Sequence, residues 1–236
     1  MVTAPQSASI YAGLRRAIQD LELAPGERLT ERGLESAFEA SRTPVRAALF
    51  QLQNDGLVRR DGRGWIVAPI DLEEIRALEE FREAVEVAAV RLACERAADA
   101  DLGAAAEMLA SFPLDASREE GHQMGMDFHV GLARLSGNRF LVESVSAAMT
   151  RLARPRWLEV RTDQGRRQAW EEHRRALDAV LARDAEAAEA LIVAHLRSTR
   201  DRLLASLTAE RKRFRANGMA IVDAKDGAAR RSAPQT

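Results

Sequence analysis

The chain carries a single cysteine, Cys94, in 236 residues. No disulfide can form within it, and the expected compartment is a reducing cytoplasm. Aromatic residues make up only 5%, and valine, isoleucine and threonine dominate no long stretch, which argues against extended sheet. Long hydrophobic runs are also missing. Stretches such as 87–90 fall far short of the ~20 apolar residues a membrane helix needs, so no transmembrane segment is expected. The first residues, MVTAPQSASIYAGLRRAI, lack a charged start followed by an apolar block and do not read as a secretory signal. Charge of one sign is not in excess either, because 35 Lys and Arg face 36 Asp and Glu for a net charge of −1. That excludes a bulk polycation but leaves room for a local basic surface, since the field near a site depends on arrangement. What is present is a chain rich in Ala, Leu, Glu and Arg, 46% hydrophobic and 30% charged. This composition suits a soluble, mainly helical protein with a real core.

The texture changes near residue 70. Before it, short segments are broken by Pro25, Gly26, Gly33, Pro44, Gly56, Gly62 and Gly64; after it, long helical patterns run with few breakers. Ile10, Leu14, Ala17, Ile18 and Leu21 mark a first helix by their spacing. Thr30 is placed to cap a second that buries Leu34, Ala37 and Phe38, and Ser41 to cap a third, with Pro44 in its first turn. Val45, Ala48, Leu49 and Leu52 form the inward stripe of that third helix. Leu57-Val58, a turn at residues 61–64 and Trp65-Ile66-Val67 read as a hairpin. Three helices and a two-stranded flap outline a winged helix-turn-helix over residues 8–69. Residues 70–71 read as a hinge. Residues 72–215 read as about six helices in an antiparallel bundle, the first marked from Leu72 to Leu92. The others cover roughly 99–111, 118–136, 138–161, 164–182 and 185–211, the last capped by Asp184. Residues 216–236 show no sustained period and read as a disordered tail.

The most informative stretch is Ser41-Arg42-Thr43-Pro44-Val45-Arg46. Arg42 and Arg46 are four apart at the start of a helix, on one face, while Val45 and Leu49 point inward. A recognition helix needs this arrangement: its first turns enter the major groove, where an arginine fork grips guanine O6 and N7. Ser41 and Thr43 are placed to bond phosphates at a helix N-terminus. The flap adds Arg59, Arg60 and Arg63, with Gly62 and Gly64 allowing close approach to a backbone.

Pro25-Gly26-x-x-Leu29, then Ser41-Arg42-Thr43-Pro44-Val45-Arg46-x-Ala48-Leu49-x-x-Leu52, then Gly56-Leu57-Val58, resemble the N-terminal domain of the GntR superfamily of bacterial transcription regulators. The resemblance spans residues 10–69. It implies an operator-binding domain whose DNA contacts fall on Arg32, Ser41, Arg42, Thr43, Arg46, Gly62 and Arg63. Pro44 stands where some members place a contacting threonine. Two copies of a reading helix on an inverted-repeat operator imply a homodimer.

Residues 72–211 are similar to the all-helical effector domain of the FadR-type branch. The similarity rests on Phe81-Arg82-x-x-x-Glu86, Phe128-His129 followed by Ser136-Gly137-Asn138, Glu172-His173, and Asp184-x-x-x-Ala188 leading to His195. It implies a repressor controlled by a small organic acid, and a divalent metal, zinc or nickel, on His129, His173 and His195. The branch adds an Asp or Asn four residues before the first histidine, where this chain has Gly125. Asp127 is turned roughly 200° from His129 and His122 lies ~10 Å of helix rise away, so neither substitutes. A three-histidine site completed by water or effector oxygens, and a weakened or lost site, both remain open. Arg82 corresponds to a position facing the effector cavity in this branch; pairing with Glu86 one turn on is the alternative. A second reading of the histidines is a hydrolase-like metalloenzyme with an accessory helical domain. It leaves residues 10–69 unexplained, and no H-E-x-x-H, Gly-rich phosphate loop or Gly-x-Ser-x-Gly elbow supports it.

Overall fold

Ile10, Leu14 and Ile18 recur at four-residue intervals and are all buried along α1 (Gln6–Gln19), which stops well before Pro25. The computed structural model describes residues 6–113 and 115–223. It divides into two units, one of residues up to 73 together with those from 207 onward, the other of residues 74–206.

In the first unit, strand β1 (Arg28–Leu29) is followed by α2 (Glu31–Ala37) and α3 (Arg42–Asn54). Thr30 caps α2 as its sequence position requires, accepting from the Gly33 amide at 3.1 Å. Leu34 is buried and Phe38 half-buried, whereas Ala37 faces solvent. Ser41 occupies the N-cap position of α3 in extended backbone, but its side chain makes no capping bond. Ser41 is exposed. Val45, Ala48, Leu49 and Leu52 are buried on one face of α3 and pack with Ile10, Leu14, Ile18 and Trp65 in one core. The flap is β2 (Val58–Asp61) against β3 (Gly64–Val67), antiparallel, with Asp61 opposite Gly64. Gly62 turns the chain at φ 57°, a conformation that other side chains resist. β1 adds a third strand on the far side of β3. A strand of two residues carries no alternation to read, which is why the sequence pattern shows only two.

The expected hinge and tail differ from the structure. Residues 70–71 form strand β4 (Ile70–Asp71), paired in parallel with β5 (Ile221–Val222). Ile70 and Ile221 are both buried, and the Ala220 amide donates to Pro25 O at 2.7 Å. A strand of two residues, too short to show a period, is held by a pairing remote in sequence. The rest of the expected tail, residues 224–236, lies outside the described residues.

Six helices account for the remainder: α4 (Leu72–Arg96), α5 (Asp99–Ala110), α6 (Arg118–Leu135), α7 (Arg139–Glu159), α8 (Asp163–Leu181) and α9 (Ala185–Ala216). The unit boundary falls within α4 and within α9, not at 215 as expected. α6 begins with a reciprocal capping box between Ser117 and Glu120, and Asp184 caps α9 by accepting from the Ala187 amide. In the second unit, Val90, Phe128, Leu132, Leu177, Val180, Ile192 and Leu196 bury their stripes against one another. The histidines of α6, α8 and α9 share those faces.

Candidate metal centre and nucleic-acid interface

Three histidines from three helices point into this core. His129 of α6, His173 of α8 and His195 of α9 are 0%, 0% and 2% exposed, and one nitrogen from each lies within 4.8 Å of the others. His173 Nε2 is 3.1 Å from His195 Nε2, which is 3.4 Å from His129 Nε2. Phe128 stacks flat on His173 with ring centroids 4.0 Å apart, fixing that ring from one side.

Two carboxylates set the chemistry of the cluster. Glu86 Oε2 lies 2.7 Å from His129 Nδ1, and Glu172 Oε2 lies 2.7 Å from His195 Nδ1. Each carboxylate accepts a hydrogen bond from the Nδ1–H it faces, leaving the Nε2 lone pair bare. Two bare lone pairs 3.4 Å apart repel unless a cation or a proton stands between them. Three nitrogens bound to one ion at about 2.1 Å would be separated by about 3.0–3.4 Å. The donor set, its spacing and the carboxylates behind it therefore fit a divalent ion such as zinc or nickel.

Electrostatics keep the imidazoles neutral, as ligation requires. Burial, then the charges of Arg82 and Arg156, holds His129 well below the usual histidine range. Burial and the neighbouring histidines do the same to His173. Burial also lowers His195, with Glu172 working against it. Glu172 is itself partly buried, which favours its neutral form, yet the His195 bond and nearby donors bring it down to about 2.

Arg82, whose sequence position suggests an effector fork, is held by carboxylates of its own helix, and among the described residues its Nη2 has no hydrogen-bond partner. It is 0% exposed; its Nε donates to Glu86 at 2.8 Å and its Nη1 to Glu79 at 2.9 Å. Burial opposes its charge, but the two carboxylates outweigh that and raise its pKa. Its guanidinium orients Glu86, which in turn orients His129. The intrahelical alternative is the one realised, with Glu79 added one turn back. His122 stands apart from the cluster, its Nε2 2.9 Å from Ala153 O, and Asp127 is engaged by Gln123. Gly125 faces Arg156: a Cβ built on it would lie 3.1 Å from Arg156 Nη2.

Sequence reading missed Glu79 and Arg156, and assigned no partner to Glu172, which points to His195 on the next helix. That target cannot be found from one helix's periodicity.

In the first unit, the seven residues expected at DNA, Arg32, Ser41, Arg42, Thr43, Arg46, Gly62 and Arg63, are all exposed. Arg42 and Arg46 converge on Glu31, with Arg42 Nε 2.6 Å from Oε2 and Arg46 Nε 3.4 Å from Oε1. Partial burial disfavours the Glu31 charge, but its bond from Arg42 and the Arg46 charge more than offset this and lower its pKa. Both arginine side chains remain exposed. Arg60 instead lies over Trp65, 3.8 Å from the ring centroid, as part of the scaffold.

Residues 6–67 match the bacterial regulatory proteins of the gntR family, and residues 77–198 match the FCD domain. The chain belongs to the GntR family of transcriptional regulators, with an FCD domain. It is 30% identical over 183 residues to the Nta operon transcriptional regulator of Aminobacter aminovorans, covering 76% of this chain and 86% of that protein. It is 31% identical over 208 residues to the HTH-type transcriptional regulator LutR of Bacillus subtilis, covering 78% and 94%. The solved structure of E. coli McbR/YncC shares the fold, with a TM-score of 0.72 at 21% identity, over 86% of this chain and 99% of that one. This GntR protein is a DNA-binding transcriptional regulator and not an enzyme; the hydrolase-like reading of the three histidines is set aside. No helix among the described residues is long and apolar enough to cross a membrane.

Proposed function

We propose that this GntR protein is a homodimeric repressor whose hold on operator DNA is released by a small organic acid bound at a divalent metal in the FCD domain. The observation that carries the effector part is the cluster of His129, His173 and His195, with Glu86 and Glu172 fixing two of the three tautomers. These three side chains would hold the ion, and the ion would supply a Lewis-acidic point of attachment for a carboxylate. Glu86 and Glu172 orient the ligating rings, Arg82 and Glu79 hold Glu86, and the surrounding apolar stripes exclude water.

The DNA part rests on the exposed Arg42 and Arg46 at the start of α3, with Gly62 and Arg63 at the flap tip. A two-fold pair of such helices suits two half-sites of an inverted repeat. For the acid to switch anything, it must bind the DNA-competent and DNA-incompetent states with different affinity.

The test is metal analysis and operator release on protein purified without chelator. Wild type should carry about one divalent ion per chain and leave the operator when an organic acid is added; His173→Ala should do neither. Equal metal content and equal acid response in the two proteins would make the histidines purely structural.

A further inference from the structure

Beside the histidines lies a cavity of about 10 Å³, bounded by Gly121 and Gly125 of α6, Arg156 of α7, and Arg166 and His173 of α8. The two glycines give these arginines their places. A Cβ on Gly121 would lie 2.5 Å from Arg166 Cδ, and one on Gly125 would lie 3.1 Å from Arg156 Nη2. A bare stripe on α6 therefore admits the Arg156 guanidinium and the methylene stem of Arg166 beside a cavity that His173 also lines. Arg156 is 4% exposed. Arg166 is anchored at the rim, where Nη1 donates to Val160 O at 2.9 Å and Nη2 to Asp163. The described residues that line the cavity include no carboxylate. Positive charge held away from bulk water, in planar forks, is the arrangement that recognises a carboxylate.

We propose that this cavity is an anion subsite in which Arg156, with Arg166 beside it, takes the second carboxylate of a dicarboxylic effector whose first carboxylate sits at the histidine cluster. The inference rests on the reading of that cluster as the effector site and adds the class of acid. Size narrows the class further. A volume of about 10 Å³ holds roughly one water-sized group, so it suits the edge of a planar carboxylate better than a tetrahedral phosphate or sulfate. The fitting effector is a short aliphatic dicarboxylic acid.

The experiment is calorimetric titration of the full chain, loaded with zinc, with malonate, succinate and glutarate against acetate, propanoate and inorganic phosphate. At least one dicarboxylate should bind tenfold or more tightly than either monocarboxylate, and phosphate should not compete. Arg156→Gln should bring that advantage below twofold. Arg166→Gln, at the rim of the same cavity, should also reduce the advantage and guards against misfolding of the first variant.

Equal affinity for both acid classes in wild type, a preference that survives both substitutions, or tight phosphate binding would overturn the subsite. Failure of the two readings is distinguishable. If His173→Ala retains an Arg156-dependent dicarboxylate preference, the histidine reading falls and the subsite stands. If monocarboxylates bind through the histidines with no dicarboxylate advantage, the reverse holds. No binding of any acid overturns both.

Discussion

Glu31 accepts a 2.6 Å bond from Arg42 Nε, so the acid at the start of α2 ties down the first arginine of α3. The second carboxylate oxygen faces Arg46 Nε. One carboxylate thus holds both exposed arginines at the start of α3. Glu31→Gln should loosen the forks and remove a negative charge facing phosphate. Affinity for scrambled duplex should rise and the operator-to-scrambled ratio should fall by roughly fivefold. Arg46→Ala should weaken operator binding about tenfold or more and relax one base position, whereas Arg63→Ala should weaken all sequences alike and flatten the salt slope. Titrations on both duplexes at two salt concentrations check each variant.

Arg82 is enclosed with Glu79 and Glu86. Its removal leaves two carboxylates buried without their cation, a change that typically costs about 3–5 kcal/mol. Arg82→Met should therefore lower the urea midpoint strongly, with or without metal. A variant of wild-type stability that had lost only its acid response would restore Arg82 as a direct effector ligand.

His122 gives a pH dependence free of the metal cluster. Burial, against the help of Ala153 O, lowers its pKa to about 4. The unfolded chain, near 6.5, binds the proton that the folded chain refuses. Its contribution is fully present above about pH 6.5, and stability falls as pH drops from there toward 4, with a slope of up to about 1.4 kcal/mol per pH unit. Replacing His122 by Gln, which can still donate to Ala153 O, should flatten that slope by up to one proton. Urea denaturation at pH 7.5, 6 and 5 measures it.

Ile221 is 0% exposed against β4, and Gly26, at φ 89°, leaves room for Ala220 where a Cβ would lie 2.6 Å from it. Ile221→Ala should destabilise the first unit by about 2–4 kcal/mol, and Gly26→Ala should also destabilise it through strain and clash. Thermal melts followed at Trp65 (among the described residues, the first unit has no other tryptophan) report on that unit. Unchanged melts would mean that β5 adds nothing to its stability.

Much of this protein was legible along the chain. Four-residue spacing of Ile10, Leu14 and Ile18, the cap at Thr30, and Gly62 between two short apolar runs determine the winged helix-turn-helix by local rules. The exposed face of Arg42 and Arg46 follows from the burial of Val45 and Leu49. The spacing of His129, His173 and His195 put one imidazole on the inward stripe of each of three helices. Periodicity names the face a residue occupies; it does not name what stands opposite. Only tertiary structure decided that Glu172 serves His195 instead of its neighbour, that Glu79 and Glu86 enclose Arg82, and that Arg156 lies against Gly125. The parallel pairing of Ile70 with Ile221 is of the same kind. Each is a polar or apolar group satisfied across elements, where the energy lies in a contact between distant residues that no local pattern records.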